Sequence, residues 1–235
     1  MIDRTFIEKI EEMSKPNFRE ESGVVLSNKR LHRLARPLAM GLEVHSLQAI
    51  ADYANNLTEE GVAFVVNVLS PSKVVLLSGL DPDHRDRETF LESSCAYDPF
   101  VFGRYYDVEE FIVSLQAQFV QDEVIGAILK MVGNMVTRSD VGLYDDGVTQ
   151  IAEVKTGLAN VEKVALPNPV SIAPYRTFPE LEQPCSNFVL RLTKDHSCAL
   201  FEADGGAWKI EAIEKIADFF RTSIICADIA ILHSL

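Results

Sequence analysis

Two runs of β-branched and apolar residues, Ala63-Phe64-Val65-Val66-Asn67-Val68-Leu69 and Lys73-Val74-Val75-Leu76-Leu77, stand on either side of Ser70-Pro71-Ser72. Each run is too short for a stable helix and the residues between them favour a turn, so together they predict a buried β-hairpin. A hairpin of this composition cannot stand alone in water, which commits the chain to a larger sheet with something packed on it.

The cover is legible in the helical period of other segments. Ile2, Phe6, Ile7, Ile10 and Met13 recur at helical spacing, Thr5 with Glu8 has the form of a capping box, and Pro16 stops the pattern. Ser46 is placed to cap a second helix through Leu47, Ile50, Ala51 and Ala54, ending near Asn55-Asn56. Asp107, with Glu110 three residues on, opens a third carrying Val108, Phe111, Ile112, Leu115 and Phe119 on one face. Asp122 caps a fourth through Val124, Ile125, Ile128, Leu129, Val132 and Val136, so this pair predicts a helical hairpin laid against a sheet.

Residues 88–97 predict a strand after the hairpin, and from Val148 onward the period is extended, over 148–156, 161–172, 187–192 and 199–202. Ile210, Ile213, Ile216, Ala217 and Phe220 mark a last helix, and residues 223–232 a closing strand. The fold expected is therefore α+β: a mixed or mainly antiparallel sheet with helices packed on it, a single domain over 1–235 with one main core. Subdomains 1–138 and 139–235 are the alternative.

The 235 residues carry a net charge of −13, and 47% are apolar. That composition supports an ordinary globular core, while the negative field repels phosphate backbones and makes general nucleic-acid binding unexpected. The cluster Lys29-Arg30-Leu31-His32-Arg33-Leu34-Ala35-Arg36 is the local exception and reads as a solvated basic face. No stretch has the length and apolarity of a membrane span, and the N-terminus lacks the basic start and apolar block of a secretory signal, so a cytosolic protein is expected. Cys95, Cys185, Cys198 and Cys226 form no CxxC pair and are expected to be reduced thiols.

No Gly-rich phosphate loop, nucleophile elbow or HExxH motif is present, and the histidines do not pair at ligand spacing. No cofactor is expected. Asp145 and Asp146, followed by Glu153 and Lys155 two apart on a predicted strand, are similar to the Asp, Glu-x-Lys pattern of metal-dependent nucleases, where carboxylates hold Mg²⁺ and the lysine activates water. The structural alternative is an Asp-Asp-Gly turn leading into an exposed charged strand.

A more individual stretch is Ala173 to Pro184, where Pro174, Pro179 and Pro184 stiffen the backbone. Tyr175, Arg176 and Phe178 supply stacking faces and a forked donor for a planar or anionic ligand, with Glu180 and Gln183 beside them. A hairpin from Asn187 to Glu202 would bring Glu202, Asp204 and Trp208 to the same place, with Gly205-Gly206 making the turn before the last helix. The alternative to a binding site is a structural network in which Arg176 bridges to Glu180, Glu202 or Asp204.

The segments Asp145-Asp146-Gly147-Val148-Thr149-Gln150, Lys155-Thr156-Gly157, Pro174 to Glu180, Gln183-Pro184 and Phe201 to Trp208 resemble the sequence blocks of the YfdQ-like family of phage and prophage proteins, in a similarity running from about Leu42 to the C-terminal helix. The family's function is unknown, so the resemblance carries over no catalytic residues. It implies a phage or prophage protein in the cytoplasm of a bacterial host, in counter-defence, in support of phage DNA metabolism, or as a scaffold. Taken with the residues, it leads to the expectation of a non-enzymatic binding protein, homo-oligomeric, with a host protein or small charged ligand as partner.

Overall fold

A computed structural model describes the backbone of residues 3–21, 24–30, 38, 40–56, 63–82, 85–136, 143–145, 150–156, 160–165, 168–193, 195–225 and 229–233, with side chains for all of these but 24, 134–136 and the stretches between 143 and 165. These residues form two compact units, Met1–Leu38 and Ala39–Leu235. The expected subdomain boundary near 138 lies outside the described residues.

The first unit is small. Helix α1 (Arg4–Ser14) follows the predicted period, but its start differs from the capping box expected. Asp3 occupies the cap position, the Thr5 hydroxyl donates to Asp3 Oδ2 at 2.5 Å, and Glu8 pairs with Arg4 at 2.9 Å. Thr5 lies inside the first turn, so its hydroxyl is used by the aspartate before it rather than by a free amide. Strands β1 (Phe18–Glu21) and β2 (Val24–Ser27) make an antiparallel hairpin. The Lys29 ammonium donates to the carbonyls of Met13 (2.7 Å) and Ser14, placing a cation on the open C-terminal end of α1. No residue of α1 is buried.

The second unit is α+β, as expected, and contains two larger sheets with separate helical covers. In the first sheet β3 (Leu42–Val44), β4 (Phe64–Ser70), β5 (Lys73–Ser78), β6 (Thr89–Ser94) and β14 (Ile229–His233) run in the order β14-β4-β5-β6-β3. The predicted hairpin is the antiparallel β4–β5 centre, and both outer strands are parallel to their neighbours, so the sheet is mixed. Helices α2 (Leu47–Asn56) and α5 (Ala207–Ser223) cover it. Leu47, Ile50, Ala51 and Ala54 of α2 meet Ile213, Ile216 and Phe220 of α5 over Phe64, Val66, Val68, Val74 and Leu76. As expected, the Ser46 hydroxyl caps α2, accepting from the Ala49 amide at 3.2 Å.

The second sheet is antiparallel, with β7 (Tyr106–Asp107), β11 (Val170–Ile172), β12 (Ser186–Leu192) and β13 (Ser197–Glu202) in the order β11-β12-β13-β7. Helices α3 (Val108–Gln118) and α4 (Glu123–Val136) form the predicted helical hairpin on it. Each has the aspartate cap that the sequence places: the Glu110 amide donates to Asp107 Oδ1 at 2.9 Å and the Ile125 amide to Asp122 Oδ1 at 2.7 Å. Phe111, Leu115, Phe119, Ile125, Ile128 and Val132 bury against Val170, Ile172, Phe188, Leu190 and Leu200. Removing one of these rings, as in Phe119→Ala, would cost about 3–5 kcal/mol. The unit's buried side chains thus gather in two clusters, one under each helical pair.

The long strand predicted over 161–172 is two, β10 (Asn160–Ala165) and β11. The first joins β8 (Leu143–Asp145) and β9 (Gln150–Thr156) in a separate antiparallel sheet, order β10-β9-β8. No helix among the described residues is long and apolar enough to cross a membrane.

Candidate functional site

The residues between β11 and β12 leave the antiparallel sheet, insert into the core of the mixed sheet, and return. The excursion starts with two backbone hydrogen bonds to the α3–α4 connection, Val120 N–H to Ala173 O and Tyr175 N–H to Gln118 O, each 2.9 Å. It then crosses to the other core. The Thr177 hydroxyl donates to Pro71 O in the β4–β5 turn at 2.6 Å, and the Cys95 thiol donates to Thr177 O at 3.4 Å. Phe178 is fully buried among α2, α5 and the mixed sheet.

Three of the residues predicted to bind ligand are consumed by this strap. Phe178 is core rather than a stacking face. Glu180 Oε1 accepts the Leu47 amide at 2.7 Å, so this carboxylate caps α2 from far along the chain and meets the positive end of its dipole. Gln183 is 8% exposed and closes the strap on itself. Its Oε1 accepts the amides of Arg176 (3.0 Å) and Thr177 (3.2 Å), and its Nε2 donates to the carbonyls of Thr177, Phe178 and Leu181. A buried loop must satisfy its backbone somewhere, and here one side-chain amide does so.

Arg176 meets Glu202, Asp204 and Trp208 as the hairpin argument requires, because β12 and β13 are antiparallel neighbours with Phe188 opposite Glu202. Its guanidinium is 4% exposed. Nη1 pairs with Glu202 Oε1 at 3.3 Å, and Nη2 donates to Pro184 O at 3.3 Å and to the Ser186 hydroxyl. Ser186 in turn donates to Asp204 Oδ2 at 2.6 Å. The cation lies 3.9 Å from the Trp208 ring centroid and 5.6 Å from that of Phe188. Burial pulls the Arg176 pKa down to about 10 against Asp204, Glu202, Tyr97 and Cys185, which pull it up, so it stays charged at neutral pH.

Asp204 also shapes the start of α5. Its Oδ1 accepts the Gly206 amide at 3.0 Å, and Gly205 and Gly206 both have positive φ, +65° and +82°, as this turn demands. Burial alone would raise the Asp204 carboxyl, but the Ser186 hydroxyl, the Gly206 amide, the Arg176 charge and the Trp208 amide together hold it below the usual carboxylate value. Arg176 Nε and Trp208 Nε1 are buried without a hydrogen-bond partner among the described residues.

Beside the cluster, a cleft of about 360 Å³ lies among the segment after β6, the C-terminal end of α3 and the strap, and is lined by Cys95, Ala96, Tyr97, Asp98, Ala117, Gln118, Tyr175 and Pro179. Of the residues predicted for binding, Tyr175 alone lines it, 40% exposed. Burial, with the Glu180 charge, raises the Cys95 thiol to about 11, so it is not a thiolate nucleophile at neutral pH. Burial also raises the Tyr97 phenol to about 12, with Cys95 adding to the rise and Arg176 opposing it. Sequence reasoning missed Tyr97, Asp98 and Gln118 because the walls come from three separated segments that share no motif.

Of the metal-binding alternative, Asp146 lies outside the described residues, and so do the side chains of Asp145, Glu153 and Lys155. The backbone places Asp145 opposite Gln150 across β8–β9 and Glu153 opposite Lys163 across β9–β10. Glu153 and Lys155, two apart, share one face of β9. Among the described residues no group of three or more His, Cys, Asp or Glu is placed to hold a metal ion. Compared with known protein families, with curated proteins and with solved structures, the chain finds no match in any of the three.

Proposed function

We propose that this is a non-enzymatic, homo-oligomeric binding protein of the YfdQ-like phage and prophage group, acting in the cytoplasm of the bacterial host in counter-defence or in support of phage DNA metabolism. The observation that carries the reading is the cleft between the strap and the C-terminal end of α3, open to solvent and walled by Tyr97 and Tyr175. Its thiol and phenol are held in their neutral forms, which suits recognition rather than nucleophilic or acid–base chemistry. The neighbouring Arg176 cluster supports the reading from the other side, since its charges are spent on one another and on the fold.

Self-association is supported by the first unit, where Phe6, Ile7, Ile10 and Met13 of α1 and Phe18, Val25 and Leu26 of the hairpin are all exposed. A unit of this size seldom holds a core without a partner, and a second copy presents the same apolar stripe. The test is a pull-down from phage-infected or lysogenic cells with native protein and with Tyr175→Ala. Specific capture by the native protein and its loss in the variant support the proposal, and equal capture by both contradicts it.

A nuclease is the rival, favoured by the shared β9 face of Glu153 and Lys155. Cleavage of DNA or RNA in Mg²⁺ or Mn²⁺, lost in both Glu153→Ala and Lys155→Ala, would replace the binding reading.

A further inference from the structure

We propose that the cleft between the strap and the C-terminal end of α3 binds a cationic group, a guanidinium or an ammonium, against the Tyr97 and Tyr175 rings and the Asp98 carboxylate. This rests on the binding-protein reading and reverses the ligand sign that Arg176 implies in the sequence. The only cation of the strap is Arg176, and its guanidinium is spent on Glu202, Ser186, Pro184 O and the Trp208 ring. Its remaining donor, Nε, is buried without a partner among the described residues, and Arg176 is not among the residues that line the cleft.

What the cleft presents instead is acceptors and π-faces. Asp98 is exposed and makes no ion pair among the described residues. Gln118 Nε2 donates to Asp98 O at 3.1 Å, which fixes the amide's orientation and leaves Gln118 Oε1 as a further acceptor. The Tyr97 and Tyr175 rings supply the negative faces that attract a cation. An anion of the same size would meet the Asp98 charge, and Arg176, the cation that acts on Tyr97, is already paired with Glu202. A volume of about 360 Å³ lies at the small end of ligand sites, which suits one side chain or a small amine rather than a nucleotide.

The experiment is calorimetric titration of the full chain with Nα-acetylated argininamide, with equally acetylated citrullinamide as its uncharged isostere, with benzoate, and with a capped Gly-Gly-Arg-Gly-Gly peptide. The proposal expects argininamide or the peptide to bind and citrullinamide and benzoate not to. Peptide affinity about tenfold or more above that of argininamide marks a basic side chain of a partner protein as the source, and equal affinity marks a free amine. Asp98→Asn and Tyr175→Ala should each weaken binding about tenfold, while Tyr175→Phe, which keeps the ring, should stay within about twofold. Both positions are exposed, so an unchanged melting curve shows that the variants fold.

Equal binding of citrullinamide, preference for benzoate, no binding of any probe, or indifference to Asp98→Asn would each overturn the cation assignment. If a partner is captured from cells through the cleft but argininamide does not displace it, the assignment fails and the binding-protein reading stands. If neither probes nor partner bind, both fail.

Discussion

Replacing Arg176 separates its structural contribution from any role in binding. Arg176→Ala removes two Nη2 hydrogen bonds, to Pro184 O and Ser186, and a charge-assisted bond is worth about 1.5–3 kcal/mol. It also removes the contact with the Trp208 ring, worth about 1–2 kcal/mol where desolvated. Against this, the Glu202 side chain is 42% exposed and rehydrates when its partner goes, so the stranded-charge cost of a fully buried pair does not apply. Asp204 keeps Ser186 and the Gly206 amide. Loss of Nε also removes a buried donor that has no partner among the described residues. With that relief offsetting part of the sum, the loss for Arg176→Ala is about 3–5 kcal/mol. Arg176→Met refills the space over Trp208 without the cost of burying a charge and should recover about half of it. Urea unfolding followed by far-ultraviolet circular dichroism reads both. A loss below about 0.5 kcal/mol for alanine, or methionine less stable than alanine, would refute the reasoning.

Gln183→Leu keeps volume but strands the strap's amides and carbonyls, so it should cost about 3 kcal/mol by the same unfolding assay, with a cost under about 1 kcal/mol counting against the strap. Because Asp204 is held below the usual carboxylate value, folded protein binds its proton more weakly than unfolded protein. The stability this gives is present above about pH 4 and is lost as pH falls further, so acid unfolding should be shallower in Asp204→Asn than in native protein. Gly206→Ala, at φ +82°, should cost about 1–2 kcal/mol in chemical denaturation. Among the three described cysteines, iodoacetamide at pH 8, read by mass spectrometry, should label exposed Cys185 first, Cys95 slowly, and buried Cys198 only after unfolding, since burial raises the last two thiols to about 11 and 12.

The helices were legible because their caps and periods are local: Ser46, Asp107 and Asp122 each cap the helix that the sequence assigns to it. The β4–β5 and β12–β13 hairpins were legible because sequential strands pair. The meeting of Arg176 with Glu202 followed from the second hairpin. What local pattern does not carry is the destination of a loop. Nothing around Glu180 says that it caps α2, and nothing around Phe178 says that it fills the core of the other sheet. For that reason Phe178, Glu180 and Gln183 read as ligand residues in sequence and hold a strap in the structure, while Tyr175 of the same stretch lines the cleft. The cleft walls were invisible for the same reason, since residues 95–98, 117–118, 175 and 179 meet only after both sheets are built.

The central claim is that binding belongs to the cleft while the Arg176 cluster holds the fold. An amide chemical-shift map of isotope-labelled protein titrated with argininamide tests it most directly. The account predicts perturbations centred on Ala96, Tyr97, Asp98, Ala117, Gln118 and Tyr175, with Glu202, Asp204 and Trp208 little changed. Perturbations centred on Arg176, Glu202, Asp204 and Trp208, with the cleft amides still, would contradict it.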